Sequence, residues 1–313
     1  MVESTPDTAK KIIFTGLDNS GKTSIVATLE AERLIKANIK PTTFVERKEF
    51  KFLDYVISIH DLGGQKKYLI KYLKQADKYF DKTDVCIYVV DIQDFARFTE
   101  TLDFMKDLVA QFVELHTTPK IYVFFHKAEN VLNGDLQGAK NIEVLQERII
   151  DIVNGRFPLE FENTTIYDTY TITSSFSAIF QDLYPRDVLV QKTMKDFAEE
   201  IGAVAAVLYD QHMLTIADYY ADVKDKDIAQ FCSTYLQSFQ KTVTRFPSVK
   251  ASRLKFEAEN FAAAFLECRS DPLTYLFLLG HVDKIPSIDL LEPKISARLP
   301  GMFALLRIAL KSG

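Results

Sequence analysis

The sequence predicts an α/β fold in two parts: a mostly parallel β-sheet with one antiparallel edge strand over residues 1–202, then a smaller α/β domain over 203–313. Three observations predict it. Short apolar, β-branched runs alternate with helix-patterned segments through the first two-thirds of the chain, as they do where crossover helices cover both faces of a parallel sheet. Gly16-Leu17-Asp18-Asn19-Ser20-Gly21-Lys22-Thr23 fits GxxxxGK[ST] without a mismatch and stands between a strand-like and a helix-like run, the context a phosphate loop requires. Beyond Gly202 the pattern changes to strand-like runs with a helix after the second.

Taken in order, Ile12-Ile13-Phe14 reads as a strand and Thr23 to Ile35 as a helix. Phe44–Leu53 and Tyr55–Ile59 are joined too closely for a crossover, so they form a hairpin that supplies the antiparallel edge. Val85–Val90, Ile121–Phe125 and Ile166–Ile172 read as further buried strands. Arg186 to Gly202 is patterned as the last helix of the first domain, with Gly202 as its stop. Next come strands at Ala203–Asp210 and Met213–Ala221, a turn at Gln211-His212, and a helix from Lys226 to about Phe246. Strictly alternating Arg253–Glu259 is a half-exposed strand, and Phe261–Leu266 and Leu273–Leu279 are better buried. Pro286, Pro293 and Pro300 then divide the tail into short helical pieces, the last being Met302–Leu310.

Composition narrows the function classes. A chain of 313 residues with 47% hydrophobic and 26% charged residues is of globular type. A net charge of -5 with interspersed signs gives no basic field for nucleic acid. Cys86, Cys232 and Cys268 form no CxxC pair, so buried free thiols in a reducing compartment are expected. No HExxH, Cys/His cluster or EF-hand loop suggests a structural metal. The polar N-terminus is not a signal peptide, Val2 excludes N-myristoylation, and Leu310–Gly313 carries no prenylation box. The expectation is a cytoplasmic protein that reaches a membrane only through a partner.

Ligands of open α/β sheets bind beyond the carboxyl ends of the strands, and four such ends carry suggestive residues. In the first, backbone N–H groups of Asp18, Asn19, Ser20 and Gly21 and the helix start at Ser24 point at a phosphate chain, Lys22 reaches the β- and γ-phosphates, and the Thr23 hydroxyl holds Mg2+. In the second, Asp61-Leu62-Gly63-Gly64-Gln65, Asp61 suits a metal carboxylate. Gly64 suits a backbone donor to the γ-phosphate, and Gln65 suits the orientation of an attacking water. In the third, His126-Lys127-Ala128-Glu129, a carboxylate can accept from guanine N1–H and N2–H2 together, and the Lys127 stem can lie across the base. In the fourth, Thr173-Ser174-Ser175, a backbone N–H can donate to guanine O6.

This ordered set resembles the Ras-superfamily GTPases. The spelling GLDNSGKT and the DLGGQ box are similar to the Arf family. The HKxE box, the Thr173-Ser174-Ser175 run and Asp84–Asp91 are similar to the Rag/Gtr family, and the C-terminal pattern resembles the roadblock (longin-like) domain of that family. The resemblance implies a GTP-hydrolysing switch using GTP/GDP and Mg2+, slow without an activating partner. It implies regulatory GTPase-activating and exchange proteins as partners, and a homo- or heterodimer through the C-terminal domain. It assigns Gln65 to catalysis and Thr23, Thr42 and Asp61 to the metal. Thr42 would also sense the γ-phosphate, with Thr43 its alternative. It makes Ala37–Arg47 and Gly64–Lys74 the two switch segments, and His126, Lys127, Glu129, Ser174 and Ser175 the base site. Two residues depart from the pattern. Glu129 stands where the family has aspartate, and His60 stands where tryptophan is usual, read as a strand-end packing residue rather than a proton acceptor. His126 is read as a tether between its loop and the phosphate loop. Arg47 and Arg97 are read as ordinary solvated arginines.

Overall fold

The computed structural model describes residues 10–29, 42, 44–52, 55–184, 188–245, 253–268, 274–282 and short stretches between 293 and 304. Thr43, Ala37 to Pro41, the helix expected beyond Leu29 and most of Met302–Leu310 lie outside the described residues.

The chain divides into two compact units, Met1–Ile172 and Thr173–Gly313. The first contains, in order, β1 (Lys10–Thr15), α1 (Lys22–Leu29), β2 (Val45–Phe52), β3 (Tyr55–Leu62), α2 (Lys66–Lys74), α3 (Ala76–Phe80), β4 (Val85–Asp91), α4 (Phe98–Glu114), β5 (Lys120–His126), α5 (Glu129–Leu132), α6 (Leu136–Val153) and β6 (Leu159–Thr164). The sheet order is β2-β3-β1-β4-β5-β6, with every pairing parallel except β2–β3. Central β1, β4 and β5 are almost wholly buried, which is why they read as continuous apolar runs. On α4, Leu102, Met105, Leu108, Val109 and Phe112 form one face at helical spacing and enter the same core as Ile142, Leu145 and Ile149 of α6.

α7 (Thr169–Leu183) crosses the division between the units, and α8 (Val188–Glu200), β7 (Ala205–Asp210), β8 (Thr215–Tyr220), α9 (Val223–Arg245), β9 (Arg253–Glu257), β10 (Ala262–Cys268) and β11 (Thr274–Gly280) follow. The second sheet, ordered β8-β7-β11-β10-β9, is antiparallel throughout. Ala229, Cys232 and Leu236 of α9 pack in one core with Val207, Phe265 and Phe277 of the sheet. All three cysteines are buried and free.

Two expectations are corrected here. Ile166–Ile172 is not a strand; the strand beside β5 is Leu159–Thr164, and Thr169 onward is helical. Asp168 begins that helix, its Oδ1 accepting from Tyr170 N at 3.1 Å, a cap that competes with strand formation. Ile172, Phe176, Ile179 and Phe180 then form its buried face. Ser174 and Ser175 therefore sit inside α7 rather than at a strand end, with Ser175 buried. The second correction concerns α8, expected to close the first domain. It packs on β8 and β7, and so lies in the second unit.

Candidate functional site

The phosphate loop runs from the end of β1 into α1. Lys22 is buried, with Nζ donating to Gly16 O at 3.0 Å, Leu17 O at 2.6 Å and Ser20 Oγ at 3.3 Å. Burial lowers its pKa to about 8, partly offset by the charges of Asp61 and Asp18. Asn19 adopts a left-handed φ of 60°, and Ser24 lies in the first turn of α1. Asp18 puts a carboxylate into this anion-binding loop. The Arg97 Nη2 lies 2.6 Å from Asp18 Oδ1, while its Nε donates to Glu100 Oε2 at 2.9 Å. Arg97, expected to be solvated, is ion-paired at the loop.

Three residues from separate segments meet beside Lys22. Thr23 Oγ1 donates to Asp61 Oδ2 at 2.6 Å, Thr42 Oγ1 donates to the same oxygen at 3.0 Å, and the two hydroxyls are 2.7 Å apart. Asp61 Oδ1 is buried and has no hydrogen-bond partner among the described residues. One carboxylate and two hydroxyls, all oxygen donors, fit a hard cation such as Mg2+ that takes further oxygens from water and phosphate. Of the two candidate threonines, Thr42 is the one described at this cluster.

Gly64 lies against the phosphate loop so closely that a Cβ on it would be 2.3 Å from Asp18 N. Only glycine fits this approach. Gln65 occupies the N-cap position of α2 without a side-chain capping bond. The Phe44 carbonyl accepts from Gly63 N at 2.7 Å and from the Tyr72 hydroxyl at 2.5 Å. The Phe44 ring packs on Tyr68, Tyr72 and Tyr79, with Lys71 Nζ 4.1 Å above it. The segment before β2 and the segment after β3 are thus joined by one aromatic cluster.

At the end of β5, His126 is buried, its Nδ1 3.0 Å from Thr164 Oγ1. A Cβ on Gly21 would lie 2.3 Å from His126 Cδ2, so the ring spans from β6 to the phosphate loop, the position of a tether. Burial, aided by the Lys127 charge, lowers its pKa to about 4. His60 is also lowered to about 4, by burial and then by Lys11 and Arg47. Its Nε2 is 2.9 Å from Ser58 Oγ on the same strand, in keeping with a packing role.

Lys127 has φ 62° and its Nζ lies 2.6 Å from Asp91 Oδ2. Glu129 Oε2 accepts from Thr165 Oγ1 at 2.8 Å and Oε1 accepts from Gln93 Nε2 at 2.7 Å. Burial raises the Glu129 pKa, but its own backbone N–H, Thr165, Gln93 and the His126 charge outweigh burial and hold the carboxyl below its ordinary range. The structure thus gathers His126, Lys127 and Glu129 with Thr164 and Thr165 of the β6 end. Ser174 and Ser175 lie in α7 instead. Sequence reasoning missed Thr164, Thr165, Asp91 and Gln93. The threonines were legible as residues just ahead of a capping aspartate; Asp91 was noted only as the end of a family-like run, and nothing local marked its contact with Lys127 or that of Gln93 with Glu129, which are made across strands.

The chain matches the family described as Gtr1/RagA G protein conserved region over residues 11–240. It is 24% identical over 285 residues to Ras-related GTP-binding protein B of Rattus norvegicus, covering 89% of this chain and 74% of that protein. The same values hold for the Mus musculus protein of that name. Among solved structures, the Arl6 (BBS3) small GTPase of Trypanosoma brucei, with bound nucleotide analogue GppNp, is similar over 57% of this chain and 100% of that chain, at 21% identity and TM-score 0.45. With a phosphate loop, a three-oxygen cluster and a carboxylate-bearing strand end assembled on one sheet, and the family match spanning most of its length, the chain is a GTPase belonging to the Gtr1/RagA G-protein family.

Proposed function

We propose that this GTPase is a Mg2+-dependent molecular switch of Rag/Gtr type that hydrolyses GTP slowly and dimerises through its C-terminal domain. The observation that carries the reading is the convergence of Thr23 and Thr42 hydroxyls on Asp61 Oδ2. Thr42 enters from a segment tied through Phe44 to Gly63 and Tyr72, so occupancy of the oxygen cluster and of the adjoining γ-phosphate position bears on both segments at once. Thr23, Thr42 and Asp61 would hold Mg2+, which would supply neutralisation of phosphate charge. Lys22 and the loop N–H groups hold the phosphates, Gly64 brings its N–H to the γ-phosphate, and Gln65 orients the attacking water. Glu129 reads guanine, and the loop from Thr164 to Asp168, which follows β6, takes the role that the sequence suggested for Ser174 and Ser175, now inside α7.

Turnover in such a site lies well below one per second, and an arginine supplied by a partner adds roughly 10³–10⁵-fold. Arg97 is engaged with Asp18 and Glu100 and is not that arginine. Dimerisation through a roadblock/longin-like domain is supported by the antiparallel order β8-β7-β11-β10-β9 and by the exposed Phe231–Tyr235 pair on α9, ring centroids 5.2 Å apart. A second copy or a sister GTPase would cover such features. Cytoplasmic residence is part of the same proposal; among the described residues no helix is long and apolar enough to cross a membrane.

The decisive experiment is single-turnover hydrolysis by Gln65→Leu. Nucleotide affinity stays within about twofold and turnover falls at least roughly 100-fold, the scale of a lost positioning group. Unchanged turnover removes Gln65 from the reaction. Competition of fluorescent GDP against ADP tests the base assignment, which equal affinity overturns.

A further inference from the structure

We propose that Gln93 is a positioning residue that fixes the Glu129 carboxylate and thereby sets guanine selectivity. The inference rests on the reading of Glu129 as the guanine-binding group. Gln93 lies just beyond β4, the strand paired with β5. Its side-chain Nε2 donates both to Glu129 Oε1 at 2.7 Å and to Lys127 O at 2.9 Å. Its backbone N–H donates to Asp91 Oδ1 at 2.9 Å, and Asp91 Oδ2 accepts from Lys127 Nζ at 2.6 Å. The Asp91–Gln93 corner therefore grips the Lys127–Glu129 segment at three points. That segment includes Lys127 at φ 62°, a conformation uncommon for lysine and one that needs external support.

The carboxylate is anchored from both sides. An ionised carboxylate has about four lone-pair sites. Gln93 occupies one on Oε1, Thr165 one on Oε2 and the residue's own backbone N–H a third, so the carboxylate is held at both oxygens. Guanine presents two donors there, N1–H and the N2 amine; adenine presents an acceptor at N1 and no N2 amine. Glutamate has one more rotatable bond than the aspartate of the family pattern, and ordering it on binding costs affinity. Anchoring both oxygens before the base arrives removes that cost.

The test uses the full-length protein stripped of nucleotide and measures dissociation constants for fluorescent GDP, IDP and ADP. Inosine lacks the N2 amine, so the GDP/IDP ratio reads the two-donor contact. Wild type prefers GDP to ADP by a wide margin. Gln93→Ala weakens GDP roughly tenfold, the scale of one hydrogen bond to a charged group, and lowers the GDP/IDP ratio. In a Glu129→Asp background, where the shorter carboxyl withdraws from Gln93, adding Gln93→Ala changes GDP affinity by less than about twofold, the mark of coupled residues. Gln93 is exposed, and unchanged thermal unfolding of the variant separates positioning from misfolding. If Gln93→Ala leaves GDP affinity and the GDP/IDP ratio unchanged while wild type still rejects ADP, the role of Gln93 is overturned and the guanine reading stands. Equal wild-type affinity for GDP and ADP overturns the guanine reading and this inference with it.

Discussion

At the scale of single residues, the Asp18–Arg97 pair shows how an anion site accommodates a carboxylate. Asp18 sits where phosphates are to bind, and its charge would repel them; the Arg97 guanidinium at 2.6 Å offsets it. Arg97→Ala is expected to weaken GDP and GTP binding, GTP more, because its additional charge lies nearer the loop. Asp18→Ala/Arg97→Ala should recover most of the loss. Both side chains are partly exposed, at 47% and 31%, so their coupling in stability should be only ~0.2–1 kcal/mol. A double-mutant cycle by isothermal calorimetry and chemical denaturation measures both. The phosphate loop was legible in the sequence because its determinants are contiguous. Arg97 was visible only as a charge, since its partner stands 79 positions away.

At the scale of elements, α7 is instructive. Ile166, Thr169, Thr171, Ile172 and Thr173 supply β-branched residues, which favour a strand. The helical signal lies further along, in the spacing of Ile172, Phe176, Ile179 and Phe180, and in Asp168 as cap. Burial of that apolar face outweighs local preference. The displaced strand β6 was hard to see for the opposite reason. It is the last strand of its sheet and only partly buried, so it tolerates Glu160, Glu162 and Asn163. The cap can be tested directly: Asp168→Ala should cost ~1 kcal/mol of stability, seen as a lower thermal midpoint, and Asp168→Asn should restore most of it. The β2–β3 hairpin and the central strands were read correctly, because a short link and continuous apolar runs each leave one solution. The Phe44 cluster, by contrast, joins a residue ahead of β2 to tyrosines of α2 and α3 and had no local signature.

At the scale of the whole molecule, the most strongly shifted acid-range groups of the two units, His126 and His60 in the first and Asp210 in the second, are expected to respond to acid in opposite directions, with His212 of the second unit, lowered by burial, acting against Asp210. His126 and His60 in the first unit have pKa values lowered to about 4, against 6.5 when unperturbed. Between these values the unfolded chain binds more protons, so the first unit loses stability as pH falls from 6.5 toward 4. Asp210 in the second unit is raised from 3.8 to about 7 by burial, despite accepting from His212 N and Leu214 N. Over 3.8 to 7 the folded second unit binds more protons at Asp210, so this group adds stability as pH falls. Scanning calorimetry between pH 4 and 6.5 should show two transitions drawing apart or crossing. Asp210→Asn should flatten one trend and His126→Gln should reduce the slope of the other. The placement of α8 shows why the unit boundary escaped sequence reading: a helix pattern shows which face is apolar but not which sheet receives it. The three buried thiols described above have a practical consequence. Cys86 lies in β4 of the first unit, and Cys232 and Cys268 lie in the second. Burial raises all three pKa values, so a maleimide reaches them only when a unit opens. The wild-type chain therefore carries its own chemical clock for each half, and mass-resolved alkylation can time the opening of each without an engineered label.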